Sequence, residues 1–211
     1  MNIKKIAALC LGTLVLCGLV GCGSDGKKAE VTAPAKAQAA EVAAPAQPSG
    51  NSSTLIVYFS HSGNTDRLAK MLQKGTGADM FRVVPVEAYP TSYHAVIDQA
   101  KKEQQANARP ALKTLKVEKL DKYNTVFVGY PNWWGTMPMC MFTFLENNDM
   151  SGKKLVPFVT HEGSAFGSSL DDLKRLAPNA KLQTGIEVRG GQVGDSENEV
   201  ANWLKKEGYG K

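Results

Sequence analysis

The loop at residues 60–65, Ser-His-Ser-Gly-Asn-Thr, combines hydroxyl side chains with one glycine. It follows an apolar run and precedes a helical pattern, so it ends on a helix N-terminus. The unpaired backbone N–H groups and the positive dipole end of a helix suit a phosphate there. The loop has no lysine and no G-x-x-x-x-G-K-[ST] pattern, which argues against a nucleoside triphosphatase. We therefore predict a monophosphate held by neutral donors; the alternative is an ordinary capped turn.

A second loop, residues 131–138, carries two adjacent tryptophans between prolines in the sequence Pro-Asn-Trp-Trp-Gly-Thr-Met-Pro. Aromatic rings in a loop provide a wall for a flat heterocycle. The alternative is that one tryptophan packs in the core beneath the loop. We expect both arrangements together, with one tryptophan facing the ligand and the other packed inward. The sequence does not say which of Trp133 and Trp134 is which.

A third loop, residues 160–168, reads Thr-His-Glu-Gly-Ser-Ala-Phe-Gly-Ser. Its small residues surround a histidine and a carboxylate. A histidine titrates near neutral pH, so His161 can hydrogen-bond a ligand or move protons. It is a weak candidate for a catalytic residue, and the alternative is a surface histidine without a role.

Strand and helix patterns alternate along the region that carries these loops. The predicted strands are residues 55–59, 80–84, 125–130, 155–159 and 182–188. Residues 92–107 have a helical composition, with Ala95, Val96 and Ala100 as the expected buried stripe. This alternation predicts an α/β fold with one parallel sheet and helices on both faces. Ligands bind such sheets at the carboxyl ends of the strands, where all three loops fall.

The stretch STLIVYFSHSGNT resembles the first strand and phosphate loop of flavodoxins. Three further segments are similar to one branch of the flavodoxin-like superfamily: GYPNWWGTMP, FLENNDMSGKKLVPFVTHEGSAFG and YPTSYHAVIDQAKKEQ. The resemblance covers residues 54–190. It implies a doubly wound, five-stranded parallel sheet of order 2-1-3-4-5, with FMN bound where the strand order reverses.

The resemblance also implies which residues bind FMN. The phosphate would contact Ser60, Ser62, Gly63, Asn64 and Thr65. The isoalloxazine ring would be lined by Asn132, Trp133, Trp134 and Gly135, largely through backbone groups. Its other side would be closed by His161, Gly163 and Ser164. Tyr89 and Tyr93 are further candidates to reach the flavin from the loop after the second strand.

The N-terminal segment predicts export. Lys4 and Lys5 precede an uncharged, mostly apolar run, which is typical of a secretory signal peptide, although a permanent transmembrane anchor is an alternative. Leu19-Val20-Gly21-Cys22 resembles a bacterial lipobox, which implies cleavage before Cys22 and lipidation of its sulfur. We therefore predict a signal peptide at residues 1–21, a disordered Ala/Pro-rich tether at 22–53, and an FMN-binding domain at 54–211. The protein would be a membrane-anchored lipoprotein on the periplasmic or extracellular face.

Composition excludes several classes of function. From residue 54 onward, 20 Lys and Arg stand against 17 Asp and Glu, without a basic run interleaved with aromatics, so nucleic-acid binding has little support. Cys140 is the one cysteine of that region, so we expect no internal disulfide and no cysteine-based metal site. Cys140 itself is expected to be a small buried residue rather than a redox thiol.

Three functions agree with these patterns. The first is an FMN-dependent oxidoreductase that passes electrons to a small acceptor such as a quinone. The second is a one-electron flavodoxin-type carrier between protein partners, and the third is a binding module that lost the flavin. In flavodoxins, a backbone carbonyl in the loop after strand three turns toward the reduced flavin. Here that loop lies between two prolines and contains two bulky tryptophans. These residues restrict such a turn of the backbone, which favours two-electron chemistry.

Lipidation has a direct test. Cys22→Ala removes the sulfur that would accept the acyl groups, so the variant should take up no labelled fatty acid and should leave the membrane fraction. Cys17→Ala is the matched control and should retain both properties. Continued labelling of the Cys22→Ala variant would refute the lipobox interpretation.

Overall fold

The computed structural model describes Gln47 and residues 52–210. The strands are β1 (Thr54–Tyr58), β2 (Asp79–Arg82), β3 (Thr125–Pro131), β4 (Lys154–His161), β5 (Lys181–Leu182) and β6 (Ile186–Arg189). The helices are α1 (Asn64–Thr76), α2 (Tyr93–Gln105), α3 (Met139–Asn147), α4 (Ser169–Leu176) and α5 (Glu197–Lys206). Short 3-10 turns lie at Leu120–Lys122 and Gly190–Asp195. The predicted signal peptide, Cys22 and all of the predicted tether except Gln47, Ser52 and Ser53 lie outside the described residues.

The strands form one parallel sheet in the order β2-β1-β3-β4, and both β5 and β6 pair with the outer side of β4. This confirms the predicted doubly wound fold of order 2-1-3-4-5. Alternate residues of β1 enter two different apolar layers: Leu55 and Val57 pack on one face, and Ile56 and Tyr58 on the other. Both faces of the sheet are covered, so β1 and β3 are nearly continuous apolar runs rather than alternating patterns.

The last strand differs from the prediction, because the single strand expected at 182–188 is divided into β5 and β6. Leu155 pairs with Leu182, but Phe158 pairs with Ile186, so one extra residue is inserted between the two pairings. The backbone N–H of Gln183 donates to the Leu155 carbonyl, which shows that this side of β4 faces the last strand. Pro157 lies two residues further along on the same side and has no N–H to donate. The ladder is therefore interrupted by a bulge at that point.

Two smaller observations concern packing. Val96 and Ala100 are buried as expected, but Ala95 is exposed, because the stripe that α2 buries recurs at four-residue spacing and Ala95 falls outside it. Cys140 is fully buried, and its burial raises the pKa of its thiol well above the ordinary value, as expected for a packing residue.

The sheet brings the three predicted loops to one edge. Tyr58, Gly129 and Phe158 are in register at the carboxyl-terminal parts of β1, β3 and β4. The loops that follow these strands therefore begin side by side. None of the helices in the part of the chain that the structure describes has the length and apolar character of a membrane span.

Candidate functional site

A cleft of about 580 Å³ lies between the three loops and the N-terminal half of α2. Its size falls within the usual range of small-molecule sites, roughly 300–1,000 Å³. The predicted site residues that line it are Ser62, Asn64, Asn132, Trp133, Trp134, His161 and Ser164. The structure therefore brings residues of all three predicted loops to one cavity.

The first loop presents backbone donors to the cleft. Gly63 has φ 97° and forms the N-cap of α1, a left-handed conformation that favours glycine. No side chain caps this helix end, so its first N–H groups remain available to a ligand. The Ser60 hydroxyl oxygen is buried and has no hydrogen-bond partner, although the Ser60 carbonyl accepts from Arg82. A buried hydroxyl without a partner is costly, and a phosphate oxygen at this position would satisfy it.

Thr65 occupies a different position from the rest of the loop. It is 1% exposed, and its hydroxyl lies 2.8 Å from the hydroxyl of Thr160 at the end of β4. This side chain thus joins the first loop to the third. Its backbone N–H still belongs to the first turn of α1, where intrahelical partners are missing.

An ionised carboxylate lies directly behind the first loop. Asp66 accepts a 2.7 Å hydrogen bond from the Tyr58 hydroxyl and pairs with Lys70 at 2.7 Å. Burial acts to raise the pKa of Asp66, but these two donors outweigh it and lower the pKa below its ordinary value. Asp66 therefore orders the start of α1 through Tyr58 and Lys70.

The second loop is a tight hairpin turn. The N–H of Trp133 donates to the Thr136 carbonyl at 2.8 Å, and the N–H of Thr136 donates back to the Trp133 carbonyl at 3.1 Å. The two central residues, Trp134 and Gly135, have φ 52° and 85°. Positive φ at both central positions defines a type I′ turn, which strongly prefers Asn-Gly. A tryptophan at the first central position is therefore strained.

The strained tryptophan is held against α2 along one helix stripe. The Trp134 indole N–H donates to the Ile97 carbonyl at 2.8 Å, and the Lys101 ammonium lies 4.5 Å from the ring centre. Gln104 donates to the Trp134 carbonyl. Despite these contacts, Trp134 remains 48% exposed and lines the cleft.

Trp133 points the other way, into an aromatic cluster. Its ring makes edge contacts with Phe59 at 5.6 Å, Tyr89 at 5.0 Å and His61 at 5.8 Å between ring centres. Tyr89 is buried behind it and donates its hydroxyl proton to Glu103. Trp133 is thus the inward tryptophan and Trp134 the outward one, although both line the cleft.

Asn132 fastens the second loop to the third. Its backbone N–H donates to the Thr160 carbonyl, its side-chain amide donates to the Ala165 carbonyl, and its side-chain oxygen accepts from the Gly135 N–H. The Gly135 carbonyl in turn accepts from both the N–H and the hydroxyl of Ser168. The side-chain groups and the backbone N–H of Asn132 are therefore engaged within the protein and are not available to a ligand.

His161 has partners at both ring nitrogens. Its Nδ1 accepts the backbone N–H of Gly163 at 2.8 Å, and its Nε2 lies 3.2 Å from a carboxylate oxygen of Glu187. An accepting Nδ1 places the proton on Nε2, the nitrogen that lies near Glu187. The ring thereby fixes the start of the third loop, where Gly163 has φ 134°. Ser164 lines the cleft beyond it.

The wall formed by α2 was not identified from the sequence. The cleft is closed on that side by Thr91, Tyr93, Val96, Ile97 and Ala100. Tyr93, considered only as a possible flavin contact, is 71% exposed. The spacing of Tyr93, Val96 and Ile97, which puts a tyrosine and two apolar residues on one helix face, is the signal that could have indicated this wall.

The sequence matches the family model for flavodoxins over residues 53–207. Because this match covers well over half of the chain, the chain belongs to the flavodoxin family. Membership confirms the family predicted from the sequence and supports FMN as the predicted cofactor. No match was found among curated proteins.

Several solved structures are similar to this chain. A protein from Bacteroides eggerthii assigned as a flavoprotein is 31% identical, with a TM-score of 0.64, covering 74% of this chain and 97% of its own. A second, from Bacteroides uniformis, is 28% identical with a TM-score of 0.65, covering 72% and 97%. A Lactobacillus acidophilus flavoprotein solved in complex with FMN is 20% identical, with a TM-score of 0.56, covering 71% and 97%. The last similarity concerns the fold.

The turn geometry predicts an unusual stability effect. Trp134→Asn introduces the residue that a type I′ turn prefers and relieves about 1–2 kcal/mol of strain, which offsets the lost packing on α2. The free energy of unfolding measured with urea should therefore fall by less than about 1 kcal/mol, or rise. Trp133→Asn is the contrast and should cost about 2 kcal/mol or more, because its ring packs on Phe59 and Tyr89. A large loss for Trp134→Asn would show that the indole is a packing residue.

Proposed function

We propose that this protein is an FMN-dependent oxidoreductase that passes two electrons at a time to a small acceptor such as a quinone. The observation that carries the proposal is the buried Ser60 hydroxyl without a partner, in the loop whose next residues line the cleft and lead into the uncapped N-terminus of α1. When bound, FMN supplies the redox chemistry, and the protein supplies binding and orientation.

The residues present fit FMN. The Ser60 hydroxyl, Ser62 and the N–H groups of residues 63–65 offer neutral donors to a phosphate, in line with the positive dipole end of α1. Trp133 and the backbone of residues 132–135 offer a flat, partly apolar wall to the ring system. His161 holds the third loop at the opposite side of the cleft through Gly163.

The second loop supports two-electron chemistry over the one-electron carrier. In its hairpin turn, the carbonyls of residues 133–135 all have donors: the Thr136 N–H for Trp133, Gln104 for Trp134, and Ser168 for Gly135. Inverting the peptide between Trp134 and Gly135 would convert the type I′ turn into type II′, whose first central position takes glycine. Trp134 stands at that position, so inversion costs both a hydrogen bond and backbone strain.

We further propose that the protein acts outside the cytoplasm, anchored through a lipid on Cys22. The support is the lipobox-like sequence at the end of the apolar N-terminal run. Residues 1–21 would be the signal peptide, 22–53 the tether and 54–211 the FMN-binding domain. A membrane quinol or a membrane-bound reductase is then the natural electron source.

The FMN site is tested by Ser60→Ala. Removing a buried hydroxyl that lacks a protein partner should leave the free energy of unfolding of the FMN-free protein unchanged or higher. FMN affinity should fall about tenfold or more, because a hydrogen bond to a charged phosphate contributes about 1.5–3 kcal/mol. Riboflavin, which lacks the phosphate, is the matched control ligand and should bind both proteins equally. Equal affinity of the parent protein for FMN and riboflavin would refute the site.

Electron number is tested by stepwise reduction of the FMN-loaded protein. The absorbance spectrum should change directly from the oxidised to the fully reduced form, because the carbonyls of residues 133–135 are held and the domain is not acidic. The matched variant is Trp134→Gly, which permits the type II′ turn. A strong long-wavelength band at half reduction of the parent protein would support the carrier instead.

A further inference from the structure

Trp134 combines three properties that conflict unless its indole has a ligand. The residue adopts a left-handed backbone conformation that costs a bulky side chain free energy. Contacts to Ile97, Lys101 and Gln104 fix its position. Yet almost half of its surface stays exposed at the cleft. A sequence that only needed the turn would place Asn at this position.

The surroundings define the chemistry of that ligand. One face of the indole has the Lys101 ammonium 4.5 Å from its centre. Tyr93, a second exposed aromatic, lines the same cleft, as do Val96 and Ile97. A ligand would stack on the indole face away from Lys101, since an electron-rich indole stacks favourably on an electron-poor planar ring. A quinone is such a ring.

We propose that Trp134 and Tyr93 form a second subsite of the cleft that binds a planar, electron-poor quinone ring beside the cofactor. The proposal rests on the proposed function, in which such a ring is the electron acceptor. It assigns Trp133 to the cofactor wall and Trp134 to the acceptor, so the two adjacent tryptophans serve different ligands. Trp134 then determines acceptor specificity rather than FMN affinity.

Binding is measured without turnover, on ¹⁵N-labelled, oxidised, FMN-loaded protein in the absence of reductant. The probe is 2,3-dimethyl-1,4-naphthoquinone, whose substituted ring resists thiol addition, and cyclohexane-1,4-dione is the non-aromatic control. The chain has 3 tryptophans, so three indole N–H resonances are followed, with Trp203 on α5 as the internal reference. The quinone should shift the Trp134 resonance and leave that of Trp203 unchanged, and the dione should shift neither.

Two variants separate stacking from structural support. Trp134→Asn should weaken quinone binding about tenfold or more, the loss expected when one stacking partner is removed. Trp134→Phe keeps a ring but loses the N–H bonded to Ile97, and it should bind the quinone within about threefold of the parent. FMN affinity, measured by flavin fluorescence, should fall by less than quinone affinity in Trp134→Asn, because residue 134 offers FMN its backbone and the quinone its side chain.

Four outcomes would overturn the proposal. Unchanged quinone binding by Trp134→Asn would show that the quinone does not stack on the indole. Absence of a Trp134 shift with the quinone would show that this exposed surface does not bind quinones and would favour a protein partner there. Loss of FMN rather than quinone affinity would assign Trp134 to the cofactor. Loss in Trp134→Phe equal to that in Trp134→Asn would show a structural role for the N–H. A parent protein that binds no FMN refutes the proposed function separately, and the same quinone titration on it still reports on Trp134.

Discussion

The close approach of the loops after β3 and β4 is the constraint on which the cleft depends. A Cβ atom on Gly167 would lie 2.2 Å from the Gly135 carbonyl oxygen, so only glycine allows the two backbones to meet here. The contact is then fixed by hydrogen bonds from Ser168 to Gly135 and from Asn132 to Ala165. Loops normally move more than the strands that carry them, but cross-bonded loops behave as part of the sheet edge. This is how an aromatic wall built on a hairpin turn becomes rigid enough to orient a flat ligand.

Much of the fold could be predicted from the sequence, because the sequence patterns that indicate it are local. Buried parallel strands appear as short apolar runs, helices as four-residue spacing, and their alternation leaves few topologies. The division of the last strand could not be predicted from the sequence, because it depends on which side of β4 Pro157 faces. That side is set by the register between segments that are distant in the sequence. The candidate site was likewise predictable only in part. The three loops were predicted from residue types, whereas the α2 wall depends on pairings such as Gln104 with Trp134, 30 residues apart.

His161 is of a residue type that often takes part in catalysis, but here its ring nitrogens make contacts that support a loop. Its Nδ1 is occupied by the Gly163 N–H, which fixes the tautomer, and its Nε2 lies 3.2 Å from a carboxylate oxygen of Glu187. The Gly163 backbone at φ 134° is a conformation that glycine adopts readily, and the histidine acceptor stabilises it. Proton transfer by this ring would release Gly163 and disturb the loop that closes the cleft. The imidazole is therefore better understood as the support of the third loop than as a general acid or base.

In the hairpin turn, the residue type that the backbone conformation prefers differs from the residue type that the proposed function uses. A type I′ turn prefers Asn-Gly, and Gly135 satisfies half of that preference while Trp134 violates the other half. Sequences that agree with their fold at every level contain few such conflicts, and those that persist concentrate at functional sites. The protein compensates for the strain with three contacts from successive turns of α2: Ile97 and Lys101 hold the indole and Gln104 holds the Trp134 carbonyl, yet 48% of the residue stays exposed. Contacts that served stability alone would bury the ring, because burial is the larger source of free energy for an indole. Trp134 therefore combines a strained backbone, a fixed position and an exposed indole, an arrangement that suits the binding of a ligand.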